Sequence, residues 1–363
     1  MTESFPSLFA DLRLPVMAAP MTMASSLDLI LACCRAGVIG GFQAGNAGAP
    51  ESFGQWLATL DAAQADARAK GQRFAPFIIN LLATASLDQG AQTARLDLCR
   101  ASGATLLLTT AGDPAAIVEQ AHSWGGRVFH DCTTIRHIER AVAAGVDGLM
   151  LVAAGSGGHS GALSPFAFVA QARRMFDGVI VLAGGIAEGR GVAAALALGA
   201  DMVCMGTRFI AARESGAPDA YRDMLVASGT DEVLYTDAIA GLPANFMRRS
   251  IVDNGLDPDA LPKPLNRFRG DLPPGVRAWR TVWSAGHSVG LIDDAPSVEE
   301  VVTRLQAEFE THHGSQDWRE RLESALLEAR AAVRGPPGLR AATRPALETS
   351  TPSSSAVSNA EDP

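Results

Sequence analysis

Lysine is almost absent from this chain of 363 residues, because Lys70 and Lys263 are its only two lysines and nearly all other basic residues are arginines. Neither lysine lies in a segment that we predict to be a strand. A mechanism that needs an active-site lysine, such as Schiff-base formation, is therefore disfavoured.

Positive charge is also in deficit, since 30 Lys and Arg residues stand against 39 Asp and Glu residues and give a formal net charge of −9. Non-specific binding to nucleic acid or to an anionic membrane needs a basic surface, so we expect neither partner. Hydrophobic residues make up 47% of the chain and charged residues 19%, which is typical of a globular protein.

Paired cysteines and long apolar segments are missing too. The five cysteines are odd in number and form no C-x-x-C pair, which predicts buried, reduced thiols and no metal site. No apolar run approaches the roughly 20 residues of a membrane span, and the first residues show neither the basic nor the apolar part of a leader. We therefore expect a cytoplasmic protein.

What is present is a regular alternation of short apolar runs and longer amphipathic stretches from about residue 14 to residue 228. The predicted strands cover residues 16–20, 38–42, 74–80, 105–109, 127–131, 148–152, 179–183 and 202–206. The predicted helices cover residues 27–35, 53–70, 87–100, 115–124, 135–144, 166–176 and 191–198. Gly37, Gly103, Gly145 and Gly199 stand where helices should end in a left-handed cap.

Eight strand signals that alternate with helices indicate parallel βαβ units. The number eight and the lack of an early G-x-G-x-x-G turn favour an α/β fold of the (β/α)8 TIM-barrel type over an open doubly wound sheet. We predict this barrel over residues 1–228. Residues 229–335 are expected to form a C-terminal, partly helical extension or lid that packs on the barrel, with an irregular Pro-rich stretch at 242–274 and a helix at about 298–333. Residues 336–363 are predicted to be a disordered tail.

The carboxyl ends of the strands form the active-site face of such a barrel. Gly184 and Gly185 follow the seventh predicted strand, and Gly206 and Thr207 follow the eighth. Because glycines let backbone N–H groups approach phosphate oxygens, these turns are predicted to form a phosphate site. A glycine pair at a strand-to-helix turn also occurs without a ligand, and that alternative stays open.

His159 is the second functional candidate, because it lies in a glycine-rich loop after the sixth predicted strand. Nothing near it in the sequence predicts packing, so it is either a solvated loop side chain or a functional acid, base or hydrogen-bond donor. We favour function because of its position at a strand end. His130 and Asp131 end the fifth strand, and strand alternation allows only one of them to face the barrel interior.

Several of these segments resemble the nitronate monooxygenases, formerly called 2-nitropropane dioxygenases. The most specific match is residues 181–209, VLAGGIAEGRGVAAALALGADMVCMGTRF, and the loop GSGGHSG at 155–161 resembles the catalytic-histidine loop of that family. Shorter matches are AAPM at 18–21, FIIN at 77–80 and WSAGHSVGLI at 283–292. The resemblance covers roughly residues 12–310.

The resemblance implies a barrel that binds FMN without a covalent link and oxidises alkyl nitronates, or nitroalkanes, with O₂ to a carbonyl compound and nitrite. His159 would be the catalytic residue, as a hydrogen-bond donor to a nitronate oxygen or as a base towards a nitroalkane. The residues implied at the cofactor are Ala19, Pro20, Met21, Asn80, Asp131, Gly157, Gly158, Ala183, Gly184, Gly185, Gly206 and Thr207. The substrate implied is a small anion or nitro compound, and the oligomeric state stays open.

One position departs from the family pattern. Where well-studied members end the fifth strand in a lysine that faces the flavin, this chain has Asp131. A carboxylate would oppose the negative charge of a reduced flavin, so Asp131 either binds flavin N–H or ribityl hydroxyl groups or is protonated.

Two other functions compete with nitronate oxidation. The first is an FMN-dependent NAD(P)H enoyl-thioester reductase, which shares a Gly-Gly-His loop, and the second is a flavin-free phosphate-binding barrel, either an isomerase or a binding protein. Gln43 and Tyr235 are either pocket-lining or ordinary loop residues.

Overall fold

The computed structural model describes residues 8–83, 89–266, 269–313 and 317–334. The strands are β1 (Val16–Ala18), β2 (Ile39–Gln43), β3 (Phe77–Ala83), β4 (Leu106–Gly112), β5 (Arg127–Cys132), β6 (Gly148–Val152), β7 (Gly158–His159), β8 (Val179–Ala183), β9 (Met202–Met205), β10 (Val233–Thr236) and β11 (Ala244–Met247). The helices are α1 (Leu27–Ala36), α2 (Pro50–Ala69), α3 (Gln89–Ser102), α4 (Ala115–Ser123), α5 (Ile135–Ala143), α6 (Pro165–Arg173), α7 (Gly189–Leu198), α8 (Thr207–Ile210), α9 (Asp219–Val226), α10 (Arg248–Asp253), α11 (Val298–His312) and α12 (Trp318–Arg334). The predicted tail at 336–363 lies outside the described residues.

The predicted TIM barrel is confirmed. Eight parallel strands close in the order β1-β2-β3-β4-β5-β6-β8-β9, and the pairing of Val16 with Val203 joins the last strand to the first. Strands such as β6 and β8 are buried along their whole length because helices cover the outside of the barrel. β3 begins and ends three residues later than predicted, so Asn80 is not its last residue.

The glycines that were expected to end helices do so. Gly37, Gly103, Gly145 and Gly199 all have φ between +71° and +112°, the left-handed conformation in which a side chain would be strained. Each glycine turns the chain from a helix into the next strand. These local signals explain why the strand and helix order could be predicted from the sequence.

The amino-terminal end of the barrel contains two buried carboxylates in equivalent turns, of which Asp147 precedes β6. Its Oδ2 accepts hydrogen bonds from the Val128 N–H of the preceding strand at 2.9 Å and from His122 Nε2 at 2.8 Å. Its Oδ1 lies 3.3 Å from Arg127 Nη1. The carboxylate thus joins two strands and a helix, and the Arg127 guanidinium compensates its burial.

Asp201 precedes β9 and repeats this arrangement. Its Oδ2 accepts from the Ile180 N–H at 2.8 Å and lies 2.5 Å from Arg173 Nη2, while its Oδ1 lies 3.4 Å from Arg321 Nε. Burial raises the pKa of Asp201, and the two arginines and the Ile180 N–H oppose that rise. A G-x-D sequence before the strand therefore occurs twice, and each time its aspartate, Asp147 or Asp201, binds a strand N–H group and an arginine; we call this arrangement the aspartate clamp.

The segment after residue 228 differs from the prediction in two places. One predicted irregular stretch contains regular secondary structure, and one predicted helix is two helices. The stretch at 242–274 was predicted to be irregular, but it contains β11 and α10. The single helix predicted at 298–333 is wrong, because α11 ends at His312 and α12 begins at Trp318. α11 packs against α7, and Glu308 accepts a hydrogen bond from the Gly189 N–H at the start of that helix, at 2.7 Å.

The five cysteines are all buried and none is in a disulfide. Burial raises the pKa of several of these thiols, including Cys204 to about 12, so they are protonated and inert. Within the described part of the chain, no helix is both long and apolar enough to cross a membrane.

Candidate active site at the mouth of the barrel

His159 is held at the carboxyl end of the barrel by a small sheet that the later part of the chain supplies. After β6 the chain forms β7, whose Gly158 and His159 pair antiparallel with Asn245 and Ala244 of β11. The Asn245 side chain also donates to the Ser156 carbonyl at 2.7 Å. The glycine-rich loop is therefore fixed in place by β11 rather than left free in solvent.

The His159 ring is exposed on one side and meets the indole of Trp279 on the other. Their centroids are 4.8 Å apart and their planes form an angle of 63°, which is an edge-on contact. The surrounding protein disfavours the charged ring and lowers the pKa of His159, and the Pro243 carbonyl partly opposes this shift. The imidazole is therefore neutral at pH 7, with one ring nitrogen able to accept a proton.

Gly184 and Gly185 form the turn after β8 with φ values of +128° and +71°. A Cβ at Gly184 would lie 2.8 Å from the Ala154 carbonyl oxygen, whereas one at Gly185 would meet no protein atom within 4 Å. The Gly185 N–H donates to the Gly155 carbonyl at 3.3 Å. One glycine thus permits close packing against the His159 loop, and the other borders open space.

Gly206 and Thr207 follow β9 and lie beside the turn that follows β1. A Cβ at Gly206 would have Met21 Sδ at 3.6 Å and Ala19 Cβ at 3.7 Å as its nearest neighbours. The Thr207 hydroxyl accepts a hydrogen bond from the Gly286 N–H at 2.9 Å. The turns after β1 and β9 and the 283–292 segment therefore meet at one place.

Of the other predicted residues, Pro20 lies half-buried in the turn after β1, Ala183 ends β8 and Gly157 is exposed before β7.

Asn80, Thr110 and Asp131 come from three adjacent strands and lie together. The Thr110 hydroxyl donates to Asn80 Oδ1 at 2.9 Å. The same hydroxyl and the Ala111 N–H lie at the Asp131 carboxyl group, where they lower its pKa. Burial is the larger effect and raises the pKa of Asp131 to about 6.

A bulge at the end of β4 explains how Ala111 reaches Asp131. Leu82 pairs with Thr110 and Ala83 pairs with Gly112, so Ala111 is left between two registered pairs. Ala111 has φ of +57°, a left-handed conformation that is unfavourable for alanine. A bulge of this kind turns the backbone locally, and here the Ala111 N–H is directed to the carboxyl group.

The alternative left open between His130 and Asp131 is settled by their partners. His130 Nδ1 lies 2.8 Å from Thr109 Oγ1, and its pKa is lowered to about 4 by burial and by His137 of α5, outside the barrel. Asp131 is on the opposite face of the strand, with Thr110 and Asn80. Asp131 is therefore the residue that faces the barrel interior.

The turns after β8 and β9 fit an anionic group such as the phosphate of FMN. The N–H groups of Gly206 and Thr207 have no acceptor among the described residues, and the space beside Gly185 is open. The Arg208 guanidinium is turned to Asp294, whose main-chain carbonyl accepts from Nη2 at 2.8 Å and whose Oδ1 lies 3.5 Å from the same nitrogen. Backbone N–H groups at these turns are therefore available to bind an anion.

Sequence reasoning missed Thr110 and Trp279. Thr110 is a polar residue near a strand end in an apolar segment, which is a usable signal. Trp279 carries no such signal, because it lies far along the chain and reaches His159 only through tertiary packing.

Tyr235 and Gln43, which could line a pocket or be ordinary loop residues, both have protein partners. The Tyr235 hydroxyl donates to the Ser160 carbonyl at 3.2 Å, and Gln43 accepts from the Thr22 hydroxyl at 3.2 Å.

Comparison with known proteins identifies the family of this chain. A family model described as nitronate monooxygenase matches residues 4–308. A nitronate monooxygenase from Paraburkholderia phytofirmans is 30% identical over 287 residues, which are 69% of this chain and 77% of that protein. Two further curated relatives are matched over only 61% and 59% of their own length.

Two solved structures share the fold. The nitroalkane oxidase from Streptomyces ansochromogenes has a TM-score of 0.70 at 22% identity and covers 84% of this chain and 99% of its own. FabK from Thermotoga maritima has a TM-score of 0.64 at 24% identity and covers 86% of this chain and 97% of its own. With the family model matching most of its length, the chain belongs to the nitronate monooxygenase family of flavin oxidoreductases.

Proposed function

We propose that this protein is an FMN-dependent enzyme that oxidises alkyl nitronates with O₂ to a carbonyl compound and nitrite. The observation that carries the proposal is the position of His159, which β11 holds at the mouth of a barrel of the nitronate monooxygenase family. A nitronate is a small anion, so its site needs a hydrogen-bond donor and little else.

His159 supplies two functions in this proposal. In the tautomer that carries the proton on the ring nitrogen not bonded to the Pro243 carbonyl, the neutral imidazole donates this N–H to a nitronate oxygen. With a neutral nitroalkane it acts as a base, because the free ring nitrogen takes the proton from the carbon next to the nitro group and leaves the nitronate. The lowered pKa of His159 keeps the ring in this basic form at neutral pH, and the edge of Trp279 fixes its orientation.

The residues that would hold the cofactor lie in the turns at the mouth of the barrel. Gly185, Gly206 and Thr207 would hold the phosphate, and Asn80 with the turn after β1 would contact the ring system. When bound, FMN would supply the electron-accepting group that passes electrons from substrate to O₂. The protein's own part is to bind and orient the substrate and to hold its proton at His159.

The test begins with the absorbance spectrum of the purified protein and the identity of any flavin it releases. O₂ uptake and nitrite release are then measured with propionate 3-nitronate and with nitroalkanes. His159→Ala should keep the flavin and lose at least about a hundredfold in turnover, which is the scale of general acid–base catalysis. His312→Ala, an exposed histidine on α11, is the matched control and should keep full activity.

Other outcomes assign other functions. Full activity in His159→Ala would remove this residue from the mechanism. Flavin bleaching by NADPH, with none by a nitronate, would identify an enoyl-thioester reductase. A colourless protein that ignores added FMN would indicate a flavin-free phosphate-binding barrel.

A further inference from the structure

We propose that the Thr110 hydroxyl couples the protonation state of Asp131 to the orientation of the Asn80 side-chain amide. Thr110 lies on β4, between the strands of Asn80 and Asp131, and its hydroxyl contacts both Asn80 Oδ1, at 2.9 Å, and the Asp131 carboxyl group. Thr110 is then a positioning residue, which acts through Asn80.

The coupling follows from the single proton of a hydroxyl group. Thr110 can donate one hydrogen bond, but its two neighbours, the Asn80 carbonyl oxygen and an ionised Asp131, are both acceptors. Thr110 cannot satisfy both at once. A buried acceptor that loses its donor costs about 1–3 kcal/mol, so the three side chains must adjust together.

When Asp131 is protonated, the three side chains can all be hydrogen-bonded, with donation running from Asp131 through Thr110 to Asn80. The carboxyl O–H donates to Thr110 Oγ1, and the Thr110 O–H donates to Asn80 Oδ1. The structure shows the second of these bonds. In this state Asn80 directs its oxygen towards Thr110 and its NH₂ group elsewhere.

When Asp131 loses its proton, the direction of the chain reverses. Thr110 must then donate to the carboxylate, and its oxygen can only accept from Asn80. The Asn80 amide therefore rotates by about half a turn about its terminal torsion, which is broad and roughly two-fold. Its NH₂ group then points at Thr110 and its carbonyl oxygen takes the former place of the NH₂ group. The carboxyl O–H bond breaks and its proton leaves to solvent, and apart from the exchanged hydrogen bonds no other bond changes.

The surroundings of Asp131 allow both states. The neighbouring strands β4 and β6 contain no ionisable side chain, and the following residue, Cys132, has a thiol whose pKa burial raises well above its ordinary value. His130 is neutral and lies on the other face of the strand. The ionisable residues of the helices outside β5 are Glu119, His122, Arg136, His137, Glu139 and Arg140. None of these charges contributes to the shift of Asp131, whose pKa of about 6 lies close to neutrality.

The consequence concerns the ligand at the barrel mouth. Asn80 is a proposed flavin contact, so the coupling would exchange a donor for an acceptor at that contact as pH changes. This last step depends on the proposed function, whereas the coupling of the three side chains does not. The experiment therefore observes the Asn80 and Asp131 side chains directly and does not depend on enzymatic activity.

The test is NMR spectroscopy of the full-length protein as purified, labelled with ¹⁵N only in asparagine. The chain has six asparagines, so few side-chain NH₂ signals appear, and the Asn80 signal is identified by its absence in Asn80→Ala. A second sample labelled with ¹³C in the aspartate carboxyl groups reports the titration of Asp131. We expect the Asn80 NH₂ signal to move with the same midpoint as Asp131. An Asn80 signal that stays fixed while Asp131 titrates would overturn the proposal.

Two substitutions at Thr110 and one at its neighbour complete the test. Thr110→Val removes the hydroxyl, so the Asn80 signal should become independent of pH while the Asp131 midpoint rises. Thr110→Ser restores the hydroxyl and should restore the coupling. Thr109→Val removes a hydroxyl that contacts His130 on the opposite face and should leave the coupling intact. Coupling that persists in Thr110→Val would contradict the proposal, and if that variant does not fold, the wild-type and Thr110→Ser titrations decide.

Discussion

The aspartates at the two ends of the barrel differ in their partners. At the amino-terminal end, Asp147 and Asp201 each accept a hydrogen bond from a strand N–H group and lie within 3.4 Å of an arginine nitrogen. At the carboxyl end, Asp131 has a hydroxyl group and one backbone N–H group but no cation that affects its pKa. The first two carboxylates have arginine partners, and the third has no cation that affects its pKa.

The presence or absence of a cationic partner decides how easily a buried carboxyl group can change its protonation state. A buried carboxylate with cationic partners holds two strands together, and removing one side of such a pair leaves an uncompensated buried charge. An uncompensated carboxyl group in a partly polar pocket gains and loses a proton near neutral pH. In (β/α)8 barrels the amino-terminal face generally serves stability and the carboxyl face carries chemistry, and the three aspartates lie on these two faces.

The largest expected effect comes from breaking the clamp at the amino-terminal end. Asp201→Ala leaves two arginines and the Ile180 N–H without their acceptor, so we expect the free energy of unfolding to fall by about 3 kcal/mol. Urea unfolding followed by circular dichroism measures this change. Asp259→Ala removes an exposed ion pair with Arg248 and is the control, with an expected loss below about 1 kcal/mol. Equal losses in the two variants would contradict the assigned role of Asp201.

A smaller effect of opposite sign is expected at the barrel mouth. Asp131→Asn removes a carboxylate that has no cationic partner, so the free energy of unfolding at pH 7.5 should rise by about 1 kcal/mol after allowance for solvent screening. The pKa of Asp131 is raised from 3.8 to about 6 in the folded protein, so the folded state binds this proton more tightly than the unfolded chain. Relative to Asp131→Asn, the wild type should therefore lose stability as pH rises from about 4 to about 6.

Urea midpoints of both proteins between pH 4 and pH 7.5 test this pH dependence. His130, whose pKa is lowered to about 4, contributes the opposite slope below its ordinary pKa, but it is present in both proteins. The difference between the two curves thus isolates Asp131. A difference that does not change with pH would show that Asp131 has no raised pKa.

The smallest effect concerns the backbone that supports Asp131. Ala111→Gly should raise the free energy of unfolding by about 0.5 kcal/mol, because relief of the left-handed strain exceeds the added entropy of the unfolded chain. Ala170→Gly, at an exposed position inside α6, is the matched substitution and should lower the free energy of unfolding by about 1 kcal/mol. Thermal unfolding of both variants gives the two signs, and destabilisation by Ala111→Gly would argue against strain at the bulge.

Much of the barrel was predictable because its signals are local. Apolar runs set the strands, and glycines such as Gly37 and Gly199 set the helix ends through their own φ angles. The segment after residue 228 was harder, since β11 forms only by pairing with β7 and β10. A four-residue strand without strict alternation gives no pattern of its own.

For the site, the sequence located His159 and the glycine turns but not the partners of His159. Strand alternation by itself left open whether His130 or Asp131 faces inward, because it fixes the opposition of the two side chains and not its direction, whereas the family resemblance implied Asp131 at the cofactor. That direction became visible from their neighbours, Thr109 and Thr110, on another strand.

The sequence by itself determined the eight-fold alternation, the glycine turns at the strand ends and the family to which they belong, because each of these depends on residues close together in the chain. Only the tertiary structure decided that β11 fixes His159, that Trp279 meets its ring and that Asn80, Thr110 and Asp131 form one hydrogen-bonded group. Those contacts join segments far apart in the chain, and barrel closure and strand register bring them together.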